Sequence, residues 1–93
     1  MNTFQLECFL SVANFLNFSK AAKSLNITQP AISHQINALE TELGAKLFFR
    51  TSKNVRLTQA GHLFTQYAEE ILRLSTSSRS RLKQSMEAEP VRF

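Results

Sequence analysis

Apolar positions in the first part of the chain follow a helical period. Leu6, Phe9, Leu10, Val12, Ala13 and Leu16 recur at three- and four-residue steps, which predicts a helix over Thr3 to Leu16 whose aromatic side packs on the elements that follow. Asn17 breaks the run. Ser19 is placed to cap a short second helix, Lys20 to Leu25, whose small Ala21 and Ala22 let a neighbouring helix approach closely. After a turn at Asn26 and Ile27, a third helix is marked at both ends. Thr28 is a good N-cap, Pro30 lies in the first turn where its missing N–H costs nothing, and Gly44 supplies the stop. Ile27 and Ile32 occupy the positions of a hydrophobic staple.

The third helix carries two stripes. At about 100° per residue, Ile32, Ile36, Leu39 and Leu43 share one arc, which reads as a core face. Gln29, Pro30, Ser33, His34 and Asn37 share another, turned from the first by roughly 120°. Their side chains are short, uncharged and rich in hydrogen-bonding groups, where a face meant only for water would carry Lys and Glu. Such a face is suited to reading another molecule, and the two helices with their turn make a helix-turn-helix.

Beyond Gly44 the period changes. Lys46 to Thr51 and Val55 to Leu57 have strand character, with Ser52, Lys53 and Asn54 as the tip of a hairpin that Leu47, Phe48 and Leu57 pin to the helices. The hairpin is a basic wing carrying Arg50, Lys53 and Arg56, a chemistry that suits phosphates and the minor groove. Thr58 then caps a long helix expected to reach about Glu87. In it Phe64, Ala68, Ile71, Ser75, Ser78 and Leu82 alternate four- and three-residue steps, a heptad seam that predicts dimerisation. Leu63, Tyr67, Leu72 and Leu74 lie off that seam, so the first half of the helix is expected to touch both its own domain and another chain. The end, Glu89 to Phe93, reads as the start of a strand with no sheet to join, and hence as the hinge to a further domain.

Charge sharpens this picture. The net charge is +4, and no Asp or Glu occurs between Cys8 and Leu39 or between Leu43 and Ala68. Those windows hold Lys20, Lys23, Lys46, Arg50, Lys53 and Arg56, so the positive charge gathers around the reading helix. With 93 residues there is room for one domain, which buries about 60 to 65% of its unfolded surface, and help from a partner chain is expected. A single cysteine, Cys8, in an apolar helix reads as a small core residue in a reducing compartment. No signal peptide and no apolar run of about 18 residues is present, so a soluble, cytoplasmic protein without membrane contact is expected. Ser33 and His34, adjacent on a helix, point about 100° apart, which is poor geometry for a nucleophile and its base. His34, His62 and Cys8 lack metal-ligand spacing and no Gly-rich phosphate loop exists, so neither an enzyme nor a metal site is expected. A winged-helix module that binds only protein would expose aromatic anchors on its outer helix face rather than Gln, Ser, His and Asn.

Residues 1 to about 87 resemble the N-terminal DNA-binding domain and linker helix of LysR-type transcriptional regulators. The resemblance is carried by Phe4-Gln5-Leu6, Phe9, Val12-Ala13, Phe18-Ser19, Ala21-Ala22, Leu25 and the run Thr28-Gln29-Pro30-Ala31-Ile32-Ser33 with Gln35-Ile36. It continues through Leu39-Glu40, Glu42-Leu43-Gly44, Leu47-Phe48, Arg50-Thr51, Leu57-Thr58 and Ala60-Gly61. It implies a mainly α fold, a winged helix-turn-helix (1–58) with a two-stranded wing, followed by a dimerisation helix (59–87) and the start of a hinge (88–93). It also implies a homodimer through antiparallel linker helices, a tetramer as a further assembly of a full-length protein, and binding of double-stranded DNA at interrupted palindromes. Carried over by position, Gln29, Pro30, Ser33 and His34, with Asn37 beside them, are expected to read bases. Ser19, Lys20, Thr28, Arg50, Lys53, Arg56 and Thr58 are expected at the DNA backbone and wing. His34 stands where the family often has Arg, and a neutral His cannot make the bidentate guanine contact of Arg, so base preference there is expected to differ and to vary with pH. No cofactor is expected in these residues; a small-molecule effector, of unknown identity, is expected for the family's effector-binding domain.

Overall fold

In a computed structural model of the protein, the backbone is described for residues 1–88 and side chains for residues 1–73. The elements follow in the order α1 (Thr3–Phe15), α2 (Phe18–Ser24), α3 (Gln29–Leu43), β1 (Phe48–Arg50), β2 (Val55–Leu57) and α4 (Gln59–Ala88). This is the mainly helical, winged architecture that the sequence implies. Residues 89–93, where the hinge was expected, lie outside the described residues.

Side-chain caps set the helix boundaries. The Asn2 carboxamide accepts the Gln5 N–H at 2.8 Å and opens α1, and Leu16, in the left-handed region at φ 49°, closes it. That turn swings the Leu16 side chain away from the core and leaves it exposed, against the expectation that it would continue the apolar stripe. The second helix is capped by Asn17, whose Oδ1 accepts the Lys20 N–H at 2.9 Å. It therefore starts before Ser19, the residue that had been expected to cap it. An Asn accepts the cap bond as well as Ser does and brings Phe18 into the first turn, where its ring is buried. Asn26, at φ 58°, makes the turn of the helix-turn-helix, a conformation that Asn tolerates better than most residues. The expected bounds of α3 hold. Thr28 Oγ1 accepts the Ala31 N–H, Pro30 lies in the first turn, and Gly44, at φ 67°, ends the helix.

The core forms where α1, α2, α3 and the wing meet. Phe9 lies at its centre, with its ring 5.3 Å from that of Phe48 and 5.1 Å from that of Phe64. Around it Leu6, Cys8, Val12, Ala21, Ala22, Ile32, Ile36, Leu39 and Leu47 are buried. Ile27, half-buried, packs on this cluster as the staple requires. Leu43, assigned to the core face of α3, is instead exposed. It lies in the last turn, beyond the elements that cover Ile36 and Leu39, and lines an open apolar groove with Leu47, Leu63 and Tyr67.

The wing is an antiparallel pair with register Phe48↔Leu57, Phe49↔Arg56 and Arg50↔Val55. It is shorter at its start than the expected Lys46 to Thr51, because the N–H groups of Leu47 and Phe48 donate to the Glu40 carboxylate instead of a partner strand. From the other side α4 is seated on the wing. Thr58 N–H donates to the Leu47 carbonyl, Thr58 Oγ1 donates to the Lys46 carbonyl at 2.6 Å, and the same oxygen accepts the Gly61 N–H as the cap of α4. Gly61 is required by this approach: a Cβ there would stand 2.1 Å from the Leu47 carbonyl oxygen.

Candidate nucleic-acid interface

The start of α2, the start of α3 and the wing enclose an open cleft of about 380 Å³. Asn17 and Ser19 come to it from α2, Gln29 and Ser33 from α3, and Arg50 and Lys53 from the wing. Two caps and a turn explain the convergence, since Asn17 and Thr28 fix where α2 and α3 begin and the Asn26 turn fixes the angle between them. Ser19 Oγ donates to Gln29 Oε1 at 2.7 Å, a direct link between the two helices of the motif at the mouth of the cleft. His34, Pro30, Thr28 and Lys20 are exposed beside it. Asn37 is exposed as well, but it lines a different concavity toward the C-terminal half of α3, with Thr41 and Gly44.

The cations are not equivalent. Arg50 Nη2 is 3.0 Å from Glu40 Oε1, and its guanidinium lies 4.8 Å from the centre of the Phe18 ring. Glu40 is 5% exposed and has all its contacts at the root of the wing, with Arg50 and the two backbone N–H groups. Arg56 stands over Phe49 at 5.9 Å on the outer face of the hairpin. Lys53 has no ion pair among the described residues and sits at the tip, where Thr51 Oγ1 accepts the Asn54 N–H at 2.9 Å to close the turn. The other acid of α3, Glu42, pairs with the N-terminal ammonium at 2.6 Å. Both acids at the end of the helix are thus neutralised away from the cleft. Thr58, assigned to the backbone-contact set, is buried with its hydroxyl held by Lys46 and Gly61.

The heptad seam divides. Phe64 packs edge-on against Phe9, and Ala68 is fully buried against the core, so Ala68 has no surface to offer another chain. Of the described seam residues Ile71 is exposed, and the open apolar positions beside it are Leu63 and Tyr67, which lay off the seam. The Phe64 side of α4 is taken up by the small core of the domain, which draws Phe64 and Ala68 inward and leaves Ile71 open. The Ser75, Ser78 and Leu82 side chains lie outside the described residues.

Two residues were missed by sequence reasoning as parts of the site, Asn17 and Glu40. Asn17 was read only as a break. Glu40 had a signal, since it follows Ile36 by four residues and so falls on the apolar stripe of α3, where a carboxylate must find donors. Cys8 is buried, and burial together with the nearby Glu7 carboxylate pushes its thiol up to about 11, which keeps it a neutral thiol at neutral pH. Among the described residues no His, Cys, Asp or Glu cluster could hold a metal ion, and no helix is long and apolar enough to cross a membrane.

Known proteins share this arrangement. The bacterial regulatory helix-turn-helix family of the lysR type matches residues 4–62. A probable cat1 operon transcriptional activator of Acinetobacter lwoffii is 46% identical over 72 residues, 77% of this chain and 24% of the activator. The HTH-type transcriptional regulator HdfR of Yersinia pestis is 47% identical over 72 residues, 77% of this chain and 25% of its own length. The chain thus spans about a quarter of the length of these curated relatives. Among solved structures, the DNA-binding domain of CbnR in complex with DNA superposes with a TM-score of 0.87 at 40% identity, over 91% of this chain and 98% of that one. The BenM DNA-binding domain on benA site 1 DNA gives 0.89 at 38% identity, over 96% of this chain and all of that one. Capped helices, reading face and wing therefore have one common explanation: the chain belongs to the LysR family of bacterial transcriptional regulators and comprises its helix-turn-helix DNA-binding domain.

Proposed function

We propose that this chain reads an interrupted palindromic operator as a homodimer, with one α3 in each of two successive major grooves and the wings on the flanking minor grooves. The observation that carries the proposal is the convergence on one cleft of Gln29 and Ser33, from one acid-free window of the sequence, with Lys53, from the other. Uncharged amide and hydroxyl groups discriminate base edges, while a cation at the wing tip supplies attraction that is indifferent to sequence. Residues 1–58 are the reading head and 59–87 the linker that joins two heads. The partner linker is met on the side of Leu63, Tyr67 and Ile71, whose exposed apolar surface supports that docking. His34, on the open face of α3, sets the preference at one further base pair.

We infer that this chain works within a larger regulator, a reading that relatives about four times as long support. In it the protein acts in the cytoplasm and assembles further, and a small-molecule effector acts on parts outside these residues. The test is selection of bound duplexes from a random pool at about 0.15 M salt, where non-specific binding is weakened. Recovery of an interrupted palindrome is the expected result. Recovery of no sequence by folded, dimeric protein would overturn the proposal.

A further inference from the structure

We infer that Ser19 determines specificity through Gln29: its hydroxyl orients the Gln29 carboxamide so that the amide N–H groups, not the carbonyl, face the base. The inference rests on the reading of α3 as the base-contacting helix. It replaces the expected role of Ser19 as a phosphate contact. A serine hydroxyl has one proton, and here that proton is donated to Gln29 Oε1 across 2.7 Å. None is left for a phosphate oxygen.

The geometry holding the pair is built from backbone, not from burial, since both side chains are exposed. Asn17 fixes the first turn of α2 and Thr28 the first turn of α3 through their cap bonds. Between them the Ile27 N–H donates to the Ala22 carbonyl at 3.0 Å and the Asn26 N–H to the Lys23 carbonyl at 3.1 Å, so the two helix starts are held in register. Ser19 and Gln29 then line the same cleft with Ser33 and Lys53.

The consequence is chemical. Reading adenine with a glutamine takes both ends of the amide, the carbonyl accepting from N6 and the NH₂ donating to N7. A carbonyl turned to Ser19, with one of its two lone pairs taken, points aside and leaves the NH₂ group as the edge presented outward, suited to the acceptors of guanine, O6 and N7, or of thymine, O4. Released from Ser19, the amide can turn over and its selectivity is lost. Ser19 is accordingly a positioning residue, and its signature is base preference at one position of the operator.

The experiment is random-pool selection with the 93-residue chain and with its Gln29→Ala, Ser19→Ala and Ser19→Thr variants, alongside the salt dependence of binding to a non-specific duplex. Gln29→Ala identifies the base pair that Gln29 reads, as the position whose preference disappears. At that position Ser19→Ala is expected to lose roughly tenfold of the discrimination, while Ser19→Thr, which keeps the hydroxyl, retains it and the salt slope stays the same. A Ser19→Ala variant that keeps its preference would overturn the inference while leaving the base-reading function intact, whether its affinity is unchanged or falls equally for all sequences with a salt slope reduced by about 1, the mark of a phosphate contact. A wild-type chain that selects no sequence would overturn the function and this inference together.

Discussion

The root and the tip of the wing carry the same kind of charge and use it in opposite ways. At the root, Arg50 is committed inward, to a buried carboxylate on α3 and the face of Phe18, and the Leu47 and Phe48 N–H groups share that carboxylate. Thr58 and Gly61 hold the root from the side of α4. At the tip, Lys53 stands on a turn closed only by Thr51 and Asn54, with no ion pair among the described residues. Positive residues three apart in sequence are therefore not interchangeable. One orients the wing against the reading helix, and the other is available to a ligand.

The largest effect is expected where the root is cut. Glu40→Ala leaves Arg50 unpaired and two backbone donors without their acceptor, and breaking a pair whose acid is buried should cost about 3 kcal/mol in denaturant unfolding. A loss below about 1 kcal/mol would mean that water replaces the carboxylate and that the root is looser than its geometry. Removing the other partner should cost less. Arg50→Ala leaves Glu40 its two backbone donors, so about 1 kcal/mol of stability is expected to go, with the salt slope of DNA binding unchanged. A slope lowered by about 1 would show Arg50 leaving Glu40 for a phosphate on binding and would erase the distinction between root and tip. Lys53→Ala should do the reverse. Stability is expected to stay within about 0.5 kcal/mol, while affinity falls almost uniformly across sequences and the salt slope drops by about 1. If the favoured sequence changed instead, the tip would be reading bases.

The same contrast explains which parts of the fold were legible beforehand. Signals that act within a few residues were readable: Thr28, Pro30 and Gly44 bound α3 where they were expected to, and the tripeptide Ser52-Lys53-Asn54 does form the hairpin tip. The caps of α1 and α2 show the limit, because Asn17 and Ser19 are both competent caps and only the packing of Phe18 against Phe48 decides for Asn17. Faces of helices were legible where the apolar residues form one stripe, as in Ile32, Ile36 and Leu39. They were not along α4, where Phe64 and Ala68 face the core and Leu63 and Tyr67 form a second, open apolar face.

Local chemistry in the chain was thus enough to specify the helix-turn-helix, the wing, the polar face of α3 and the acid-free windows around it, because periodicity, capping and charge are properties of neighbouring residues. Tertiary structure alone decided that Glu40 is buried and binds Arg50, that Ser19 donates to Gln29, and that Phe64 and Ala68 face inward while Leu63 and Tyr67 stay open. Each of these depends on which donor, acceptor or apolar surface arrives from a distant part of the chain. Burial then gives a single carboxylate or alanine partners that its place in the sequence does not name.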